Sequence, residues 1–346
     1  MPISILNYPC HPRHPWLNSV FLATKMRVLT ITNNLQQASF RLRIEALEPL
    51  LRDRGIELEI KVRPRGLLAR RMLFSGAGKY DAVILQRKLL DPGDARLLKR
   101  RAKRVIFDVD DAVMYCQGKA SAFSRWRTWR RFCATAANVD AVVAGNEYLA
   151  DLFRRQGAKV SVLPTLADME HYQVKQYAQV ARPALVWIGS RSTLGYLKEC
   201  LPFIESAGLK LIVIADESVK SQKIEIEHVP WSADTEAAAL CRGDIGIAPT
   251  PDDQWTQGKC GFKIVQYMAA GLAVIATPVG ANAELVVEGE TGFLARSLED
   301  WPRLIRQLAG DASLRARMGV AARTRAEKMY SLQRGADFWA KILHSS

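Results

Sequence analysis

Residues 244–278 read DIGIAPTPDDQWTQGKCGFKIVQYMAAGLAVIATP. Two short apolar runs, DIGIAPT and LAVIATP, flank FKIVQYMAAG, in which Phe262, Val265 and Ala269 recur at helical spacing. Ile264 and Met268 widen that stripe and Gly271 closes it. Continuous apolar strands joined by a helix are the units of a parallel sheet covered on both faces. The alternation extends in both directions. Before it lie ALVWIGS, the helix TLGYLKECLPFIESAG, LKLIVIAD, IEIEHVP and the helix DTEAAALCRG. After it come TGFLA, an Arg-, Leu- and Ala-rich helical block at 299–329, and the amphipathic SLQRGADFWAKILHSS.

A separate series begins at Met26 with RVLTITN. It continues through the helix ASFRLRIEALEPLLRDRG, IELEIKV, YDAVILQ, KRVIFDV, the helix ASAFSRWRTWRRFCATAAN, VDAVVAGN, the helix EYLADLFRRQG and KVSVLPT. Between the two series, ADMEHYQVKQYAQVARP breaks the rhythm. The predicted class is α/β, with two doubly wound, Rossmann-like domains facing an interdomain cleft and ligands at the carboxyl ends of strands. The predicted divisions are an N-terminal arm (1–25), a first domain (26–170), a linker (171–182), a second domain (183–330) and a C-terminal helix (331–346).

Composition narrows the function. The 346 residues are 49% hydrophobic and 24% charged, as in ordinary globular proteins. No apolar run reaches the roughly 18 residues of a membrane span. The opening MPISILNYPCHPRHPWLNSVFLATK lacks the basic start and apolar core of a secretory leader, so residues 1–25 read as an arm or a misassigned start. Six cysteines without CxxC spacing read as reduced thiols of a cytosolic protein, and neither they nor the five histidines have metal-ligand spacing. The net charge of +14 is uneven: residues 1–180 hold 30 lysines and arginines against 16 acids, whereas 181–346 hold 19 of each. The halves therefore meet different partners.

Three strand ends in the second half point to an anion. Lysine at a helix start opposes the macrodipole by roughly 0.3–1 kcal/mol, yet GKCGFKIVQYMAAG (258–271) reads as putting both Lys259 and Lys263 into the first turn of a helix, four residues apart and on one side. They are either solvated or, with the helix amides, ligands of a diphosphate. The loop WIGSRST offers Gly189 for close approach and donors at Ser190, Arg191, Ser192 and Thr193; an ordinary capped turn is the other reading. In PVGANAE, Gly280 and its neighbouring amides can approach a ligand, and Glu284 either bonds a hydroxyl or is a first-turn residue. Neither GxxxxGK[ST] nor a strand-linked GxGxxG is present, so lysine, arginine and helix ends would meet the phosphates of a nucleotide diphosphate.

The stretch GKCGFKIVQYMAAGLAVIATPVGANAELVVEGETGFLA resembles the donor-binding signature of group 1, family-4 glycosyltransferases of the GT-B fold. AVVAGNEYLADLFRRQGAKVSVLPTLAD, ALVWIGSRSTLGYL and ASFRLRIEALEPLLRDRGIELEI resemble it too, over Met26 to the end, and 258–295 most specifically. The resemblance implies a retaining, metal-independent transferase with no cofactor beyond its donor substrate, a nucleotide diphosphate-sugar held by the second domain. It implies a glycan or lipid-linked acceptor held by the first domain, and a last helix crossing back. Lys259 and Lys263 would contact the donor phosphates, with Arg191 in place of a lysine usual after the first loop of the second domain. Where the family carries two glutamates eight positions apart, this chain has Gly258 and Gln266. Gln266 can bond a ribose hydroxyl, and Asp252 and Asp253 are candidates for the missing sugar contact. The variant looks like a subgroup associated with surface polysaccharide synthesis.

In the first half, VIFDVDDAV ends a strand with Asp108, Asp110 and Asp111. Relatives carry a histidine near the reacting carbon there; Asp110 or Asp111 would orient the acceptor hydroxyl or stabilise positive charge on the sugar, or they are caps and ion-pair partners. Ser39, Arg41 and Arg43, with Gln86 and Arg87, are further strand-end candidates for the acceptor side. The basic runs RLLKRRAKR and RWRTWRR, with Trp126 and Trp129 three apart, suit peripheral contact of 96–131 with an anionic membrane at the inner face of the cell membrane. A solvated helix with core tryptophans fits as well, and no nucleic-acid motif accompanies them. A nucleotide-sugar epimerase or phosphorylase on the same frame, and a non-catalytic basic scaffold binding membrane or nucleic acid, are the alternatives.

Overall fold

The first sheet joins β1 (Met26–Thr32), β2 (Ile56–Val62), β3 (Ala82–Gln86), β4 (Val105–Val109), β5 (Ala141–Ala144) and β6 (Val160–Val162) in the order β2-β1-β3-β4-β5-β6. The second joins β7 (Leu185–Ile188), β8 (Leu211–Ala215), β9 (Ile226–Pro230), β10 (Ile245–Ala248), β11 (Ala273–Ala276) and β12 (Gly292–Leu294) in the order β12-β11-β10-β7-β8-β9. All pairings within both sheets are parallel. The computed structural model describes residues 25–116, 118, 120–177 and 182–345, so the predicted arm, apart from Lys25, and part of the predicted linker lie outside the described residues. The α/β class read from the sequence holds: strands such as β3 and β8 are buried along their whole length, and helices cover both faces of each sheet.

Strand order reverses between β1 and β3 in one sheet and between β7 and β10 in the other. Crevices form outside the carboxyl ends of strands at such points, so the loops after Thr32, Gln86, Ile188 and Ala248 are the ones placed to meet a ligand.

Two predicted helices are broken. The run 38–55 divides into a helix Ala38–Arg43, a 3₁₀ turn Glu45–Leu47 and a helix Glu48–Arg52. Pro49 cannot donate to the carbonyl of Glu45, and Ile44 leaves the helical region at φ −124°, ψ −63°. The block 299–329 splits into Asp300–Gly310 and Ala312–Tyr330 because Asp311 turns its carboxylate onto the Leu314 amide at 2.8 Å as an N-cap. The helices Leu67–Ser75 and Pro92–Arg101 were not apparent in the sequence pattern. The last helix, Leu332–His344, packs Trp339 and Leu343 into the core of the first sheet beside Val28, Leu47 and Ile84.

Beneath the acceptor-side loops lies a fully buried ion pair. Arg43 donates from Nε and Nη2 to both oxygens of Asp108, the latter at 2.6 Å, and from Nη1 to the Leu163 carbonyl at 2.8 Å. One guanidinium thus binds the first helix, the end of β4 and the segment after β6. Breaking a buried pair from one side leaves an uncompensated charge. Asp108→Asn is expected to lower the unfolding free energy by about 3–5 kcal/mol, as measured by urea unfolding.

Candidate active site

The carboxyl ends of the two sheets enclose a cavity of about 560 Å³, within the range of small-molecule sites. Residues from the loops after β1, β3, β4, β7 and β10 line it.

On the second-half side, Gly189 is required by space, since a Cβ would lie 2.5 Å from Trp187 Cη2 and 2.7 Å from Thr193 Oγ1. The chain then enters the helix Arg191–Glu205 with extended Ser190 as N-cap, and Gly189, Ser190 and Thr193 line the cavity. The helix Phe262–Ala269 starts later than the sequence pattern predicts. Gly261, at φ 62°, is its N-cap, so Lys263 is in the first turn while Lys259 belongs to the turn before it. Both lysines line the cavity.

Lys263 Nζ sits 4.4 Å from the centre of the Trp187 ring. It is shielded from solvent and has no hydrogen-bond partner among the described residues. Burial, and then the charge of Lys259, pull its pKa down to about 7. Lys259 lies 5.6 Å over Trp255 and 3.8 Å from Asp111 of the other half. Lys263 is thus a shielded amine at a helix start beside a second cation, with no carboxylate in ion-pairing distance among the described residues.

Gln266 donates to the Tyr172 hydroxyl at 3.1 Å and to Glu236 at 3.0 Å. Glu236 also accepts from Trp231 Nε1 at 2.6 Å and from Tyr172 at 3.0 Å. Glu236 and Trp231 line the cavity, and neither was evident from sequence; for Trp231 the available signal was its position just after the carboxyl end of β9. Its ring faces the Arg41 guanidinium across the cleft at 5.9 Å.

Among the first-half candidates, Ser39, Arg41, Arg87, Asp110 and Asp111 line the cavity. Arg87 has φ 58°, the one positive φ at a non-glycine among the described residues, a conformation costing about 1–2 kcal/mol. It is held there by its ion pair to Asp111, a 3.9 Å approach to Asp110 and a 3.3 Å hydrogen bond to Ser39 Oγ. Burial and the neighbouring Asp110 charge push Asp111 above the usual carboxylate range, against the pull of Arg87 and Lys259. Asp110 Oδ1 is shielded and has no hydrogen-bond partner among the described residues.

The other candidates lie elsewhere. Arg43 and Gln86 are buried below the cavity; Gln86 accepts from Thr32 at 2.8 Å and donates to the Ser39 carbonyl at 3.0 Å, which supports the loop carrying Ser39. Arg191 points outward, 79% exposed, and pairs with Glu217 at 2.7 Å. Ser192 lines a neighbouring recess with Tyr196 and Trp255. Gly280 turns to Gln257, whose Oε1 accepts its amide at 3.2 Å, and Glu284 is exposed outside the cavity. Asp253 caps the helix Gln254–Gln257 and Asp252 accepts from Gln257 at 2.6 Å.

The floor of the cleft is a tight seam between the halves. Gly258 abuts Ala112, so that a Cβ would lie 2.5 Å from the alanine Cβ and 2.9 Å from its amide nitrogen. Gly145 presses on Cys260, whose thiol donates to the Asp110 carbonyl at 3.0 Å. Asn146 donates to the carbonyls of Gln257 and Lys259 at 3.1 and 3.0 Å.

Residues 182–311 match the family model of group 1 glycosyl transferases. Over 177 residues the chain is 24% identical to glucosyltransferase 3 of Streptococcus gordonii, covering 49% of this chain and 52% of that protein. Over 69 residues it is 39% identical to the D-inositol 3-phosphate glycosyltransferase of Streptomyces avermitilis, covering 19% of this chain and 15% of that protein. The chain thus spans about half, or less, of these relatives' length. In fold it is similar to sucrose-phosphate synthase from Thermosynechococcus elongatus (TM-score 0.71, 14% identity, 92% of this chain and 98% of that one). It is also similar to Anabaena HepE in complex with UDP and glucose (TM-score 0.67, 15% identity, 93% and 100%). The two-sheet architecture is that of GT-B glycosyltransferases.

A side chain at Gly258 must part the seam. Gly258→Ala is expected to cost about 1–3 kcal/mol in stability and to enlarge the radius of gyration measured by small-angle X-ray scattering. Gly195→Ala, where a Cβ meets nothing within 4 Å, should leave that radius unchanged.

Proposed function

We propose that the protein is a retaining glycosyltransferase that moves a sugar from a nucleotide diphosphate-sugar to a glycan or lipid-linked acceptor. Its setting is the synthesis of cell-surface polysaccharide or glycolipid at the cytoplasmic face of the cell membrane. The second half (183–330) takes the donor and the first (26–170) takes the acceptor, with 171–182 as linker and 331–346 returning to the first half. The observation that carries this reading is Lys263, an unpartnered ammonium that lines the cavity at a helix start beside Lys259. The family match over 182–311 supports it.

In this reading, negative charge grows on the diphosphate as its bond to the anomeric carbon breaks, and positive charge grows on the sugar. Lys263, Lys259 and the amides from Gly189 onward neutralise the leaving group in a site shielded from water. Arg191 joins them when its ion pair with Glu217 opens. Gln266 bonds the ribose. The acceptor hydroxyl attacks on the face the diphosphate leaves, oriented by Asp110, and its proton passes to the departing diphosphate oxygen as the new glycosidic bond forms, while Asp111 is held by Arg87 and Lys259. Because cationic side chains meet the phosphates, no metal or other cofactor takes part; transfer is expected to survive a chelator, and the product to keep the donor's anomeric configuration, as read by proton NMR.

Lys263→Ala should reduce transfer by about two to three powers of ten without loss of the fold, since removing one transition-state donor has that effect. Binding also carries a pH signature. Lys263 has its pKa near 7 in the free site, and a bound diphosphate raises it, so binding takes up a proton above pH 7. Affinity for UDP, the nucleotide bound by the Anabaena protein, should therefore weaken by up to about tenfold per pH unit as pH rises beyond 7. Calorimetric titration checks this, and Lys263→Arg, charged throughout, should flatten the dependence.

A further inference from the structure

Away from the cleft, the first half carries a surface unlike that of a protein that meets only water. The helix Leu67–Ser75 turns Leu67, Leu68 and Met72 outward at 54, 74 and 68% exposure. The helix Ala122–Ala136 does the same with Phe123 and Trp126, at 67 and 55%, and every residue from Ser121 to Arg127 is exposed. Its first two turns therefore face solvent, apart from the contacts of Ser124 and Thr128 with the Cys116 thiol. The core-tryptophan reading fails for Trp126, which stacks on Phe123 at 5.8 Å instead.

The two helices form one surface because both are tied to the start of the helix Pro92–Arg101. Arg70 pairs with Asp94 from one side, and Arg131 pairs with Asp91 at 2.8 Å from the other. Those two carboxylates are thereby used up. Arg63, Arg65, Arg71, Arg125, Arg127 and Arg130 have no carboxylate within ion-pairing distance among the described residues, and Arg130 lies 5.5 Å over the Trp126 ring. Large exposed apolar side chains among unpaired arginines fit the boundary of a bilayer, the former in the acyl region and the latter at phosphates. The run 96–104 is less available than its charge implies: Lys99 and Lys103 pair with Asp140 and Asp81, and Arg104 donates to the Leu343 carbonyl. The surface is thus 62–72 together with 121–131, not the contiguous 96–131.

We propose that this composite face seats the protein on an anionic phospholipid membrane. Both helices begin at the carboxyl ends of strands, after β2 and after the loop leaving β4. The seated protein therefore turns the rim of its cleft toward the lipid surface. Aliphatic Leu67, Leu68 and Met72 favour a bilayer over nucleic acid, which offers such side chains little.

Sedimentation of the full chain with vesicles tests this without any turnover, so its outcome is separate from the transferase reading. Binding is expected to vesicles of phosphatidylcholine mixed with phosphatidylglycerol, and not to phosphatidylcholine alone, and to weaken with salt. Leu68→Glu with Met72→Glu, and Phe123→Glu with Trp126→Glu, should each lower partitioning more than tenfold with thermal unfolding unchanged. Arg127→Ala or Arg130→Ala should each lower it about fivefold. Absence of vesicle binding by the unaltered protein, or equal binding by the glutamate variants, overturns the proposal. So does binding of an RNA oligonucleotide that displaces the vesicles while the apolar substitutions change nothing.

Discussion

The acceptor side of the cleft depends on the buried pair between Arg43 and Asp108. Asp108 is the penultimate residue of β4, and the chain that leaves it carries Asp110 and Asp111 into the cavity. Arg43 closes the short helix that carries Ser39 and Arg41. The pair fixes the distance between two loops that have no backbone ladder in common. A hydrophobic pair of equal volume could stabilise the fold as well or better. The specific service of the ion pair is directional: a two-pronged guanidinium admits one orientation of the carboxylate.

Above that foundation, charges are arranged in opposition across the cleft. Arg87 and Lys259 come from different halves and converge on Asp111, while Lys263 has an aromatic ring beside it and no anion among the described residues. The Asp111 carboxylate offsets the first two, whereas the third has no such partner among the described residues. Burial can lower a lysine's pKa without an anion nearby, and a site in that condition gains most from a ligand that brings negative charge.

Much of the architecture was legible because fully buried parallel strands appear as unbroken apolar runs, and Lys259 and Lys263 were legible because they contradict the helix dipole. Other features were hidden for identifiable reasons. In SFRLR, Arg41 and Arg43 look equivalent, yet residues two apart on a helix face opposite ways, so one lines the cavity and the other enters the core. Glu236 stands 30 residues before Gln266, and only the tertiary fold brings them to 3.0 Å. Arg191 could be placed by its backbone at a helix start, but its long side chain is free to choose Glu217 in solvent. The breaks at Ile44 and Asp311 were written in Pro49 and in a capping aspartate, signals weaker than the amphipathic pattern running through them.

The chain passes between the halves twice, after Leu163 and again at Ser331, where the last helix turns back to the first sheet. These crossings touch: Ala167 and Ser331 form a parallel bridge, and the Ala167 amide donates to the Tyr330 carbonyl at 2.9 Å. Two straps bonded side by side resist sliding and twisting more than they resist bending. The two crossings therefore hold the halves at one shared point, so the register of residues facing each other across the cleft is set there as well as at the seam.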